Sequence, residues 1–247
     1  QISIVQPGAF SNLIYLTYVH LDSNQLKSIQ SGTFSNIPKL IDLFLRHNYL
    51  SSIPSGAFSN LPSLESLALT GNGLTHIQPG AFSNLPMLRR LCLNVNNLTK
   101  IPPDSFSNLP QLRRLDLTSN RISNIDSDLF SKMPLLELLV IADNQITISP
   151  GIFSNLNQLQ RLELKSNHIT EIQPGTFSNL PSLKILSLRC NQMTTIQPGT
   201  FQNLPRLATL DLRDNPWQCD CRMIPLKSHF FESEIICEEP EKFRGQK

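Results

Sequence analysis

Between residues 112 and 122 the chain reads LRRLDLTSNRI, apolar at 112, 115, 117 and 122 and polar at the positions between. Leu115 and Leu117 alternate with residues that point the other way, the period of two that marks a short strand. The same pattern, L-x-x-L-x-L-x-x-N-x-L, returns nine times in register. Its asparagine stands at Asn24, Asn48, Asn72, Asn96, Asn120, Asn144, Asn167, Asn191 and Asn215. A phenylalanine keeps the same beat at Phe10, Phe34, Phe58, Phe82, Phe106, Phe130, Phe153, Phe177 and Phe201. The step is 24 residues, with one step of 23 into Phe153. Around the phenylalanine the phrase FSNLP is written at 58, 82, 106 and 177, with variants FSNIP at 34, FSKMP at 130, FSNLN at 153 and FQNLP at 201.

A fixed period of this length belongs to architectures that grow by adding units, each leaning on its neighbours. Stacking makes the short strands a parallel sheet with the leucines inward. The asparagine ends each strand where the backbone turns a corner inside the structure. Its amide both donates and accepts, so it can satisfy main-chain groups of its own and the adjoining unit. The phenylalanine falls on the far side of the coil, where nine rings are expected to stack as a second apolar column. QPG before it, at 6–8, 78–80, 173–175 and 197–199, supplies turn chemistry, and SNLP after it steers the chain back to the next strand. Strands pack about 4.8 Å apart, while loops and short helical turns need more room. The pattern therefore predicts an α/β solenoid curved with its parallel sheet on the concave side, and with loops and short helical turns on the convex side.

These motifs resemble the extracellular leucine-rich repeat family in its 24-residue form, over essentially the whole chain. The resemblance implies a horseshoe over 1–213, with nine strands and an incomplete first unit, followed by a truncated C-terminal cysteine cap over 214–247. The cap is marked by NPWQCDC at 215–221. In the family the first cap cysteine pairs with the third and the second with the fourth. The resemblance thus implies a Cys219–Cys237 disulfide and leaves Cys221 without a partner before Lys247. Trp217 is expected to cover the end of the apolar column. The family's N-terminal cysteine cap has no counterpart here, so Ile2, Val5, Leu13 and Leu16 begin the core with nothing in front of them. This end exposes apolar surface and a strand edge, so either the fragment tolerates the exposure or self-association with another copy covers it.

Composition narrows the function classes. Hydrophobic residues make up 40% and charged residues 16% of the 247, enough for a continuous core and too little charge for disorder. The net charge of +2 gives no argument for nucleic acid. No run of 18 apolar residues is present, and the chain opens directly on QISIVQPGAF, as expected of a trimmed or mature fragment. The five cysteines include Cys92 and Cys190 inside the repeats. Those two lie four units apart, roughly 19 Å, against the ~7 Å limit of a disulfide. Cys92 falls at an outward position and reads as a free surface thiol. Three cap thiolates with His229 lack a recognisable metal spacing. No G-x-S-x-G, P-loop, H-E-x-x-H or dinucleotide fingerprint is present, and His20, His47, His76, His168 and His229 occupy different repeat positions. No cofactor, metal or catalytic role is expected.

What the repeat leaves free is the outward side of the strands. The position before the first strand leucine holds Tyr18, Asp42, Ser66, Arg90, Arg114, Leu138, Arg161, Ile185 and Thr209. Between the leucines stand His20, Phe44, Ala68, Cys92, Asp116, Val140, Glu163, Ser187 and Asp211. After them come Asp22, Arg46, Thr70, Asn94, Thr118, Ala142, Lys165, Arg189 and Arg213. A fixed scaffold with a freely varied face is the division of labour of a recognition surface. Large apolar groups point outward, and aromatic anchors often carry binding energy. Like charges also line up, Arg90 beside Arg114 and Lys165 with Arg189 and Arg213. Asp116, Glu163 and Asp211 either balance these rows or leave them to an anionic ligand. Asn97-Leu98-Thr99 is a sequon, a candidate glycosylation site in a secreted protein.

Near-identical framework around diverse strand positions is similar to the variable lymphocyte receptors and to Toll-like receptor ectodomains. That likeness implies an immune-type receptor binding a protein, a glycan or an anionic microbial surface ligand through the concave face. The same fold also serves adhesion, guidance and matrix proteins, and the sequence leaves both readings open.

Overall fold

The computed structural model describes residues 1–58, 60–106, 109–218, 236–239 and 245. Each strand pattern becomes one three-residue strand: β1 (Tyr18–His20), β2 (Asp42–Phe44), β4 (Ser66–Ala68), β6 (Arg90–Cys92), β7 (Arg114–Asp116), β8 (Leu138–Val140), β9 (Arg161–Glu163), β10 (Ile185–Ser187) and β11 (Thr209–Asp211). These form a nine-stranded parallel sheet in chain order, the concave wall of the solenoid. Equivalent positions face each other without slippage, as in Leu91↔Leu115 and Arg90↔Arg114. Two short pairs complete the set. One joins β3 (Ser52–Ile53) to β5 (His76–Ile77) beyond the corner, and the other joins β12 (Trp217–Gln218) to β13 (Cys237–Glu239). The helical turns expected on the convex side reduce, among the described residues, to one 3-10 turn at Pro103–Phe106. The other convex arcs are β-turns, such as those closed by Ala9 N–H on Gln6 O and Ala81 N–H on Gln78 O, both at 3.1 Å.

The corner is held by the asparagines. Asn120 Oδ1 accepts from Leu98 N–H at 3.0 Å, and its Nδ2 donates to Leu93 O and Leu117 O, both at 3.0 Å. Each asparagine thus ties its own strand to the one before. The same three-way arrangement runs from Asn48, which takes Leu26 N–H, to Asn215, which takes Met193 N–H. Asn24 takes Ile2 N–H and donates only to Leu21 O and Asp22 O of its own unit. In a buried corner this satisfies main-chain groups that would otherwise each cost about 1–3 kcal/mol.

The residue before the corner asparagine is left-handed in every unit, from Ser23 at φ 55 to Asp214 at φ 57. Val95 adopts this conformation at φ 57 although it is β-branched. Gly71 takes it at φ 67, and a Cβ there would meet His47 Nδ1 at 2.5 Å, so only glycine lets that imidazole lie so close. The second left-handed column is the asparagine of the repeated phrase, at Asn12, Asn36, Asn60, Asn84, Asn179 and Asn203.

The core is one continuous cluster. Its sheet side is the strand leucines, and its convex side the phenylalanines. Ring contacts link Phe10 through Phe106 and Phe130 through Phe201, with centroids 5.4–6.2 Å apart. Among the described residues no ring contact bridges Phe106 to Phe130, so the expected column of nine is two stacks. Trp217 is fully buried against this core, and its Nε1 donates to Leu212 O at 3.0 Å. At the opposite end Ile2, Ile4, Leu13 and Ile14 are exposed. Cys219 and Cys221, and the side chain of Cys237, lie outside the described residues, so the expected disulfide does too. Cys92 and Cys190 are free and half-buried. No helix among the described residues is long and apolar enough to cross a membrane.

Candidate functional site

Because side chains alternate along a strand, each three-residue strand sends its central leucine inward and the residues on either side toward the concave solvent. The parallel register then lines up outward residues in rows across the sheet. Tyr18, His20, Arg90, Arg114 and Arg161 are exposed, as are Lys165 and Arg213 just beyond the strands. Asp42, Phe44, Arg46, Asp116, Leu138, Glu163 and Arg189 are half-buried among their row neighbours. Ala68, Ala142 and Ser187, at outward positions, are buried. They are small side chains covered by larger ones a strand spacing away, so the free face is less continuous than the alternation implies.

The first units carry an aromatic platform. The His20 ring stacks on Phe44 with centroids 4.5 Å apart, and Tyr18 meets His20 edge-on at 6.4 Å. The Arg46 guanidinium lies 4.4 Å from the Phe44 centroid and 3.9 Å from Asp22, whose other oxygen accepts Arg46 N–H at 2.7 Å. Phe44 is thus packed by a ring and a cation, and Tyr18 keeps 56% of its surface in solvent.

The charge rows resolve unequally. In the later units each arginine has its own carboxylate. Arg161 Nε meets Glu163 at 2.6 Å, Arg189 Nε meets Asp214 at 2.5 Å, and Arg213 forks onto Asp211 at 2.7 and 2.8 Å. The fork holds the Asp211 carboxyl below its usual range, and Arg189 does the same for Asp214. In the middle units Glu65 pairs with Arg89 at 3.8 Å, and Glu137 pairs with Arg113. Asp116 Oδ1 is held by Thr118, from N–H at 2.9 Å and from Oγ1 at 2.6 Å. Among the described residues Arg90 and Arg114, adjacent across β6 and β7, and Lys165 have no carboxylate within ion-pair distance. Burial pushes the Cys92 thiol up, reinforced by Asp116 and opposed by Arg46 and Arg90. It is a poor nucleophile at neutral pH.

Asn97 is exposed and follows the buried corner residue Asn96. An open groove of about 490 Å³ lies elsewhere, along the returning Asn-Pro steps from Asn12 to Pro86 on the flank. Among the described residues no group of His, Cys, Asp and Glu is placed to hold a metal ion. The concave site was visible from the alternation. The stacking of His20 on Phe44 was not, because it depends on rotamers across two strands.

A family model described as leucine rich repeat matches residues 14–74, 64–122, 110–169 and 157–216. No curated protein matches the chain. Among solved structures, the octameric complex of Latrophilin 3, Unc5D and FLRT2, in which FLRT2 carries the leucine-rich repeats, contains a similar chain. The identity is 26% and the TM-score 0.73, over 97% of this chain and 82% of that one. A chain of the TLR13–ssRNA13 complex is 25% identical with a TM-score of 0.57, over 97% of this chain and 43% of that one. A chain of the Drosophila Toll–Spatzle complex is 24% identical with a TM-score of 0.74, over 98% and 42% respectively. The chain therefore spans less than half the length of the latter two.

Proposed function

The chain belongs to the leucine-rich repeat family, and from that premise we propose that it is an extracellular recognition module binding a protein or glycan ligand through its concave sheet. The observation that carries this reading is a face whose side chains do not hold the fold. The corner asparagines and inward leucines do that, while Tyr18, Phe44, Arg90, Arg114, Leu138 and Arg161 stand on a rigid sheet facing outward. A preordered aromatic and arginine surface loses little entropy on binding. In this reading residues 1–213 are the receptor body, 214–247 its disulfide-held cap, and Asn97 a glycan site on the flank that leaves the face open.

Immune-type recognition is the leading form. Adhesion or guidance is the second, favoured by the likeness to the FLRT2-containing complex, of whose chain 82% is covered. The test is a screen of the purified chain against arrays of extracellular proteins and glycans, followed by substitutions on both faces. Phe44→Ala and Arg161→Ala should weaken the best hit, an anchor loss of about 2 kcal/mol or roughly 30-fold. Convex changes such as Glu171→Ala should leave it intact. Loss on the convex side alone refutes the concave assignment.

A further inference from the structure

On the basis of that concave reading, we infer that Arg90 and Arg114 form the anion clamp of a site for a sulfated or phosphorylated oligosaccharide, with its sugar face laid on the exposed rings of Tyr18 and His20. Three observations lead there. The two arginines are register partners on adjacent strands, about 4.8 Å apart at the backbone, and like charges so placed oppose the sheet. No carboxylate among the described residues meets them within ion-pair distance. Glu65 and Glu137 are taken by Arg89 and Arg113, and Asp116, two residues from Arg114, turns its Oδ1 to Thr118 instead. Asp42, in the same row as Arg90, is two strands away, about 10 Å. The other arginines of the concave face show how such charges look when satisfied internally.

Two guanidiniums on adjacent strands each offer a planar fork of donors, a pair suited to grip a tetrahedral oxyanion from two sides. Ser66 and Leu138 flank the pair in the row, giving a hydroxyl on one side and an apolar wall on the other. Tyr18 lies in the same row as Arg90, three strands away, about 14 Å. That is the reach of a short oligosaccharide. Its C–H faces suit the exposed ring of Tyr18, and its ester group would arrive at the arginines. Phe44, covered by His20 and Arg46, supports the platform from below.

The experiment is titration calorimetry of the full chain with three oligosaccharides of one backbone: sulfated, phosphorylated and unsubstituted. A phosphotyrosine peptide is the fourth arm. The sulfated or the phosphorylated form should bind, and which binds tighter identifies the source of the oxyanion. The unsubstituted form should bind at least about tenfold more weakly, and Arg90→Gln/Arg114→Gln should weaken the favoured ligand by about a hundredfold. The unsubstituted form should be insensitive to that change, whereas Tyr18→Ala should weaken all three sugars. Equal affinity for charged and uncharged sugars, an unaffected double variant, no binding to any sugar, or preference for the peptide each overturns the proposal. As a ligand-independent arm, sulfate at fixed ionic strength should raise the Tm of the wild-type chain more than that of the double variant, and equal shifts overturn the clamp. If the clamp fails while concave substitutions still abolish the array hits, only this inference falls. If those hits survive as well, the concave reading falls with it.

Discussion

Asn120 at the inner corner and Asn36 on the outer flank are the same residue under opposite demands. Asn120 is 8% exposed and makes hydrogen bonds with backbone groups of two units. Asn36 faces solvent and is held by its backbone, at φ 59. The first position needs a side chain that both donates and accepts; the second needs a residue that tolerates the left-handed region. The left-handed φ is absent at Lys132, which replaces the asparagine, and also at Asn155, which keeps it, so the letter permits the conformation without enforcing it. One letter repeated along a chain can therefore encode two mechanisms, and the two should fail differently.

The largest effect should come from Asn120→Ala. It strands Leu98 N–H in a buried corner and removes one of the two amide donors on Leu93 O and on Leu117 O, which keep Asn96 and Asn144, for a loss of about 3 kcal/mol, roughly 6–12 °C in Tm. Thermal unfolding followed by circular dichroism measures it, and a Tm within a degree of wild type would break the comparison. Asn36→Ala should cost about 1 kcal/mol and Asn36→Gly nearly nothing, because the penalty is for φ and not for lost bonds. Denaturant midpoints of the pair measure this, and equal midpoints would mean that the flank is held by its amides after all.

The smallest effect sharpens the contrast between neutral buried bonds and charged exposed ones. The Asp211 carboxyl is held low in the folded chain by Arg213. Its contribution is therefore present above about pH 4, the unfolded range, and is lost as pH falls through the folded value. Being largely exposed, the pair should yield less than about 1 kcal/mol. Asp211→Asn should flatten that part of an acid stability profile, while the corner amides, which do not titrate, remain unaffected.

Most of the scaffold was legible because it is periodic. A recurring leucine pair implies a strand, a recurring strand implies a stack, and a recurring asparagine after it implies a polar corner. What escaped the period was whatever depends on the conformation of individual side chains. Arg161, Arg189 and Arg213 were indistinguishable in kind from Arg90 and Arg114, yet a nearby Glu163, Asp214 or Asp211 neutralises the first three. Ser187 looked as free as Asp116, but its size lets neighbours close over it. The split of the phenylalanine column between Phe106 and Phe130 has no signal in the motif itself, which places a phenylalanine at both positions. The outward positions follow from the alternation, but which of their charges are satisfied depends on rotamers: Glu163 turns to Arg161, while Asp116, at the same spacing from Arg114, turns to Thr118.

The arc between Asn144 and Phe153 is one residue shorter than its counterparts, yet Leu138↔Arg161 and Leu139↔Leu162 stay in step and the Phe130 and Phe153 rings still meet at 6.2 Å. The deletion is absorbed at the back of the molecule and never reaches the front. Lengthening or trimming that outer bend, around residues 147–151, should therefore leave the facing side chains where they are. A tag or a second module could be inserted there without disturbing whatever the inner wall grips.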